Sequence, residues 1–188
     1  MSNIFFTSDL HFGHNKEFLY GPRGFDNIFM HDATIISNWN DTVGEDDVVY
    51  ILGDLMLRYN DYGMWCIEQL NGHKQVILGN HDSYTRQMLY SHAPFIESIA
   101  WADTLRVGKY DFFLCHYPTL TDNFNRYRKQ FNLHGHTHSK DKFQFINHCC
   151  YNVALDAHNN KPVEIEEIIH DLRQKRQEYN NEQTQAQS

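Results

Sequence analysis

The sequence predicts a single α/β domain built around a mostly parallel sheet. Three observations lead there. Short apolar runs alternate with stretches of helical periodicity through the first half of the chain, the pattern of βαβ units. Several of those runs end on a small or turn-forming residue next to an Asp, Asn or His, as at Gly53-Asp54 and Gly79-Asn80. The length of 188 residues fits one domain and can bury a core without covalent staples.

In chain order, Ile4-Phe5-Phe6-Thr7 reads as a buried strand ending at Ser8-Asp9. Met30 to Trp39 places Ile35, Ile36 and Trp39 at helical spacing, with Asp32 as a candidate N-cap. Asp47 to Leu52 is a strand closed by Gly53-Asp54. Asp61 to Leu70 is a helix stopped by Asn71-Gly72, and Gln75 to Leu78 a strand closed by Gly79-Asn80. In the second half, Thr104-Leu105-Arg106-Val107 and Tyr110 to Leu114 flank Gly108-Lys109 as a hairpin. Further strands are expected at Phe131 to Leu133 and near Cys150 to Val153. Lys161-Pro162 precedes a helix from Val163 to about Gln177, with Ile165, Ile168, Ile169 and Leu172 on one face. The domain is expected to span 1–179, with the polar segment 180–188 disordered.

Hydrophobic content of 41% and charged content of 21% describe an ordinary soluble globular chain. The formal net charge of −8 argues against extended, sequence-independent nucleic-acid binding. It does not argue against a phosphate substrate, because bound metal ions invert the charge within a site. Cys66, Cys115, Cys149 and Cys150 form no C-x-x-C pair and read as reduced thiols of a cytoplasmic protein. No charged segment followed by a long apolar stretch marks a signal peptide, and no apolar run approaches the ~20 residues of a membrane span. Nothing in the sequence sets the oligomeric state.

Five motifs carry the chemistry: Asp9-Leu10-His11, Gly53-Asp54, Gly79-Asn80-His81-Asp82, His116 and Gly135-His136-Thr137-His138. Gly53-Asp54 alone could be a turn, and a lone histidine is usually a surface or satisfied core residue. Their recurrence after successive apolar runs is what carries weight, because ligands of open α/β sheets bind beyond the carboxyl ends of strands. Aspartate and histidine with one asparagine and no thiolate suit Mn, Fe, Zn or Ni. Two such ions ~3.5–4 Å apart clamp a phosphoryl group and acidify a bridging water.

The order and spacing of these motifs, over roughly residues 3 to 168, resemble the calcineurin-like metallophosphoesterase superfamily. Asp9 to Asn15, Asn38-Trp39-Asn40, Asn152-Val153 and Pro162-Val163 resemble a compact subgroup found in bacteria and phages. The resemblance implies a four-layer α-β-β-α sandwich, two facing mixed β-sheets flanked by helices, with the metal site at strand C-terminal ends. It implies two divalent transition-metal ions, Mn foremost, with Fe, Zn or Ni as alternatives. Asp9, His11, Asp54 and His138 would hold the first; Asp54, Asn80, His116 and His136 would hold the second. His81 would stabilise the transition state or protonate the leaving oxygen, so that Asn80 and His81 also meet the substrate. Asp82 is a candidate to orient His81. Many members carry a second Asp three residues after the bridging one, where this chain has Leu57, which leaves the partner of His81 open.

The activity implied is hydrolysis of a phosphate ester by a metal-bridging hydroxide. The chain has no room for a large cap domain, which favours a phosphodiesterase acting on a cyclic or small nucleotide-type diester. The alternatives are a phosphomonoesterase acting on a nucleotide or phosphoprotein, and a non-catalytic scaffold like the superfamily's retromer subunit, in which the His after the Asn is replaced. His14 either reaches the leaving group or begins a helix. Arg58 is either a phosphate clamp or a solvated arginine, and Arg126-Tyr127-Arg128-Lys129 either a nucleotide contact or a solvated face. Asn147-His148-Cys149-Cys150 reads as strand, and Asp156 and His158 have no clear role.

Overall fold

The apolar runs at Ile4–Thr7 and Val48–Leu52 become central strands that are largely buried on both faces. The computed structural model describes residues 2–119, 129–143 and 149–186. In order these form β1 (Ile4–Thr7), α1 (Glu17–Tyr20), α2 (Ile28–Asn40), β2 (Val48–Leu52), α3 (Asn60–Glu68), β3 (His73–Ile77), α4 (Tyr84–His92), β4 (Ile96–Ala100), β5 (Asp103–Val107), β6 (Tyr110–Leu114), β7 (Lys129–His134), β8 (Cys150–Asn152), β9 (Val163–Glu164) and α5 (Ile165–Ala186). One sheet has the order β4-β3-β2-β1-β9, parallel except for β9; the other has the order β5-β6-β7-β8, parallel except for β5.

Alternation of side chains along each strand splits the core in two. Phe5, Val49, Ile51 and Val76 pack with Ile35, Trp39, Ile67 and Tyr90 of the helices. Phe6, Leu52 and Ile77 pack with Phe112, Leu114, Leu133 and Tyr151 of the second sheet and with Ile168, Ile169 and Leu172 of α5. The result is the expected pair of facing mixed sheets flanked by helices. Strands covered on both faces need apolar residues at nearly every position, which is why their runs are continuous.

Several elements differ from the sequence expectation. Helix α2 starts two residues early because the Asn27 side chain accepts the Met30 N–H at 3.0 Å. Asp32, the expected cap, is buried inside the helix, where Oδ2 accepts the Gly13 N–H at 3.0 Å. Strand β3 begins at His73, paired with Val48, and so buries Lys74, whose Nζ donates to the carbonyls of Leu70 and Gly72. Helix α4 and strand β4 were not expected. Val163–Glu164 pairs with β1 before α5 begins, and α5 runs on to Ala186, through most of the segment expected to be disordered. Trp65 and Trp101 are exposed, whereas Phe95 packs against the helix-side core. Arg126, Tyr127, Arg128, Asn147 and His148 lie outside the described residues; Cys149 and Cys150 are buried thiols, Cys150 opening β8. Among the described residues, no helix is long and apolar enough to cross a membrane.

Candidate metal centre

Asp9, Asp54 and Asn80 follow β1, β2 and β3, and His116 and His136 follow β6 and β7, so the carboxyl ends of both sheets meet at one place. The backbone there is unusual. φ is positive at Asp9 (59°), His11 (52°), Asp54 (58°), His136 (71°) and His138 (50°). L-residues enter that region at a free-energy cost of order 1–3 kcal/mol, and such positions cluster at functional sites. Among the described residues the other non-glycine cases are Arg58, Asn159 and Asn160. Two glycines let the loops touch: a Cβ on Gly79 would collide with Asp54 Oδ1, and one on Gly135 with Ser8 Oγ and Asp9 Oδ2.

The two aspartates have divided oxygens. Asp9 Oδ2 accepts from Ser8 Oγ at 2.6 Å and from the His136 N–H at 2.9 Å, while Oδ1 is buried without a partner, 3.8 Å from His11 Nε2 and 3.7 Å from His138 Nε2. Asp54 Oδ1 accepts the His81 N–H at 2.9 Å. Its Oδ2 lies 3.7 Å from His11 Nε2, 3.6 Å from His116 Nε2 and 3.9 Å from His81 Nε2. His116 donates Nδ1–H to the Leu52 carbonyl at 2.7 Å, which leaves its Nε2 facing Asn80 Oδ1 at 2.9 Å. Short of a second proton on the ring, acceptor faces acceptor. The Nε2 atoms of His11 and His138 stand 3.2 Å apart, and His11 Nδ1 is buried without a partner.

Burial sets the charge states. It raises the Asp54 carboxyl above the usual range; the neighbouring His116 pulls the other way, and Asp9 adds to the rise. Burial, then His138, lowers His11 well below its usual value. Burial lowers His14 to about 4, with His81 and Arg58 acting in the same direction. At His138 burial is outweighed by Asp156 and Asp9, and the net shift is upward.

These features pass the test for metal ligation. Ligand atoms of Asp9, His11 and His138, and of Asp9, Asp54 and His116, lie within 4.8 Å of one another, so the buried cluster can hold metal ions. A cation beside Asp9 would satisfy its bare Oδ1, and one beside His116 would meet the Nε2 and Asn80 Oδ1 that face each other. The His136 ring stands beside His116, with centroids 5.0 Å apart.

The supporting network was not visible in the sequence. Asp156 accepts from His138 Nδ1 at 3.3 Å and takes Arg23 through two bonds of 3.0 and 2.7 Å. Arg23 also donates to the Asp9 carbonyl at 2.8 Å and to His31 Nε2 at 2.9 Å, and His31 Nδ1 donates to Asp32 at 2.7 Å. One buried arginine thus joins the first ligand loop, the loop after β8 and α2. Such partners fix the tautomer and aim of a ligating histidine. Asp82 does not orient the His81 ring: its carboxylate accepts the Asp54 and Gly79 N–H groups, each at 2.8 Å, and Tyr90 Oη at 2.9 Å, locking the turn after β3 to the one after β2. Arg58 is exposed on the wall of a neighbouring cleft, outside the Asp/His cluster. His158 is buried and bonds the Asn152 carbonyl at 2.8 Å.

Fold and site together define a two-sheet sandwich protein whose converging strand ends carry an acid–imidazole cluster. No family model matches the chain. It is 33% identical to the uncharacterized protein MJ1445 of Methanocaldococcus jannaschii, an alignment covering 90% of each. It is also 33% identical to the Gene 66 protein of Mycobacterium phage D29, covering 92% of this chain and 98% of that one. The chain belongs to the family that these archaeal and phage proteins share. Among solved structures, the protein of unknown function AQ665 from Aquifex aeolicus overlays with a TM-score of 0.67 at 21% identity, covering 90% of this chain and 99% of that one, and so has the same fold.

Proposed function

We propose that the protein is a dinuclear-metal phosphoesterase, with a phosphodiester as the favoured substrate. The observation that carries this is the crowding of carboxylates and imidazoles, with Asp54 Oδ2 within 3.9 Å of His11, His116 and His81 and Asp9 common to both donor groups. Asp9, His11, Asp54 and His138 would hold one ion and Asp54, Asn80, His116 and His136 the other, Mn being the ion we favour. Bound there, the ions would act as Lewis acids on phosphoryl oxygens and acidify a water.

The chain's own groups supply the rest. Leu52 and Asp156 take the Nδ1 protons of His116 and His138, which turns both Nε2 atoms to the centre. Asp82 and Asp54 hold the backbone of the Gly79-Asn80-His81 turn, and Arg86 donates to the His81 carbonyl at 2.6 Å. His81 is thereby held at the mouth with its side chain 43% exposed, where it can give a proton to a leaving oxygen. Asn80 is exposed beside it. An open mouth admits a phosphate bearing two substituents, which is the reason to favour a diester. Buried thiols such as Cys66 and Cys150 suit a reducing compartment such as the cytoplasm.

The test is hydrolysis of paired chromogenic phosphate mono- and diesters by chelator-stripped protein, with Mn, Ni, Zn or Mg restored. Metal-dependent turnover biased to the diester and reduced at least about 100-fold in His81→Ala is the expected result. A monoester bias would make the protein a phosphatase. Metal binding without turnover of either ester would make it a binding scaffold.

A further inference from the structure

We propose that the cleft between the start of α2 and the start of α3 is a nucleobase subsite, so that the ester handled at the metal centre is a small nucleotide. The inference rests on the phosphoesterase reading for its orientation and on separate residues for its content. The cleft has a volume of about 800 Å³, within the range of small-molecule sites.

Its position relative to the centre is fixed by two links. Gly13 forms part of the cleft and is followed by His14, whose ring lies 5.7 Å from that of His11. On the opposite wall Asn60 accepts from Arg86 Nε at 3.1 Å, and the same Arg86 donates to the His81 carbonyl. The cleft is therefore tied to the Asp/His cluster through the His14 loop and through Arg86, and these two connections are the ground for assigning it a substituent of the phosphate ester.

The chemistry of the walls selects the substituent. Phe29 and Tyr59, 72% and 65% exposed, are aromatic faces left in water on either side. Between them Asn15, Asn60 and Asp61 present amides and a carboxylate. A base offers a π-face to the aromatic rings and an edge of donors and acceptors to the polar groups, which an aliphatic chain does not. Asp61 would accept from an exocyclic amine, and Arg58 on the same lining offers a planar guanidinium to a base face. His14 is only 8% exposed, its Nδ1 is buried with no partner, and Phe18 stands edge-on to its ring at 5.6 Å, so a polar atom waits between centre and cleft. The net charge of −8 favours one nucleotide over a nucleic-acid chain.

The test is calorimetric titration with adenosine 5′-monophosphate and with ribose 5-phosphate, in chelator and again with Mn. The expected result is adenosine monophosphate bound at least about tenfold more tightly than its base-free counterpart, a stacking-scale difference. Phe29→Ala and Tyr59→Ala should each erase that preference, and Phe29→Trp should keep it. Equal affinities for the two ligands, or alanine variants that keep the preference, would overturn the subsite. A single-stranded hexanucleotide bound more than tenfold tighter than the mononucleotide would overturn the single-nucleotide reading. A protein that cleaves base-free diesters but shows no preference for the base would refute the subsite alone. One that binds the base but cleaves nothing would refute the phosphoesterase alone.

Discussion

At the scale of residues, the centre is a set of crowded carboxylates and imidazoles that burial drives toward their uncharged forms and that could hold metal ions. Asp54 is pushed toward protonation and His11 toward neutrality, mainly by burial, while Asp9 Oδ1 has no proton donor. The groups that aim the ligands matter as much as the ligands. Asp156 holds His138 and is itself kept far below the usual carboxylate range: burial works against this, but His138 and Arg23 outweigh it. Asp156→Asn should therefore lower metal affinity about 10–100-fold while the chain still folds, read by competition with a chromogenic chelator. Unchanged affinity would show that Arg23 and Asp156 merely pack. The candidate ligands were legible because each follows an apolar run. Arg23, His31 and Asp156 were not, since nothing about their spacing says that chain segments 133 residues apart will share a guanidinium.

At the scale of elements, β3 shows what local pattern misses. The sequence expectation began this strand at Gln75. Pairing with β2 starts at His73 and draws Lys74 inside, only 3% exposed, where two carbonyls at the end of the α3–β3 connection accept from Nζ. Burial lowers its ammonium from the usual 10.5 to about 8. Between those values the unfolded chain holds more protons than the folded one, so this group makes stability rise with pH across that window and leaves it flat below. The Cys66 and Cys149 thiols, pushed up to about 12 by burial, work in the opposite sense above their usual 9. The lysine's part is accordingly the difference between wild type and Lys74→Met. Urea midpoints from pH 7.5 to 10.5 should shift in favour of wild type as pH rises, and a constant difference would contradict the burial of a titrating amine. Helix α5 is the converse case. Its apolar stripe through Leu172 was readable, but its extension to Ala186 was not, because those last turns are polar all round.

At the scale of the whole molecule, two sheets must stay in register for their strand ends to meet, and a bound ion would tie them together. Asp9 and Asp54 come from one sheet; His116, His136 and His138 follow strands of the other. Metal should stabilise the fold as well as the chemistry. Free ion at 100 times its dissociation constant adds about 2.7 kcal/mol per site, so the calorimetric Tm should rise by several degrees with Mn and fall on chelation. An unchanged Tm would mean that the two sheets are held together without help from the site.

The sequence by itself determined the two-sheet architecture and pointed to the candidate ligands, because both are written in local signals: apolar runs alternating with helical periodicity, turn residues at strand ends, and aspartate or histidine placed just beyond them. Tertiary structure alone decided which oxygen of each aspartate faces the centre, that Asp82 braces a turn instead of aiming His81, that Arg23 links three segments, and that Phe29 and Tyr59 share a cleft with the His14 loop. Those outcomes depend on strand pairing and on the relative placement of helices. A sequence pattern reports which face of an element is apolar, but it carries no distance between side chains brought together from remote parts of the chain.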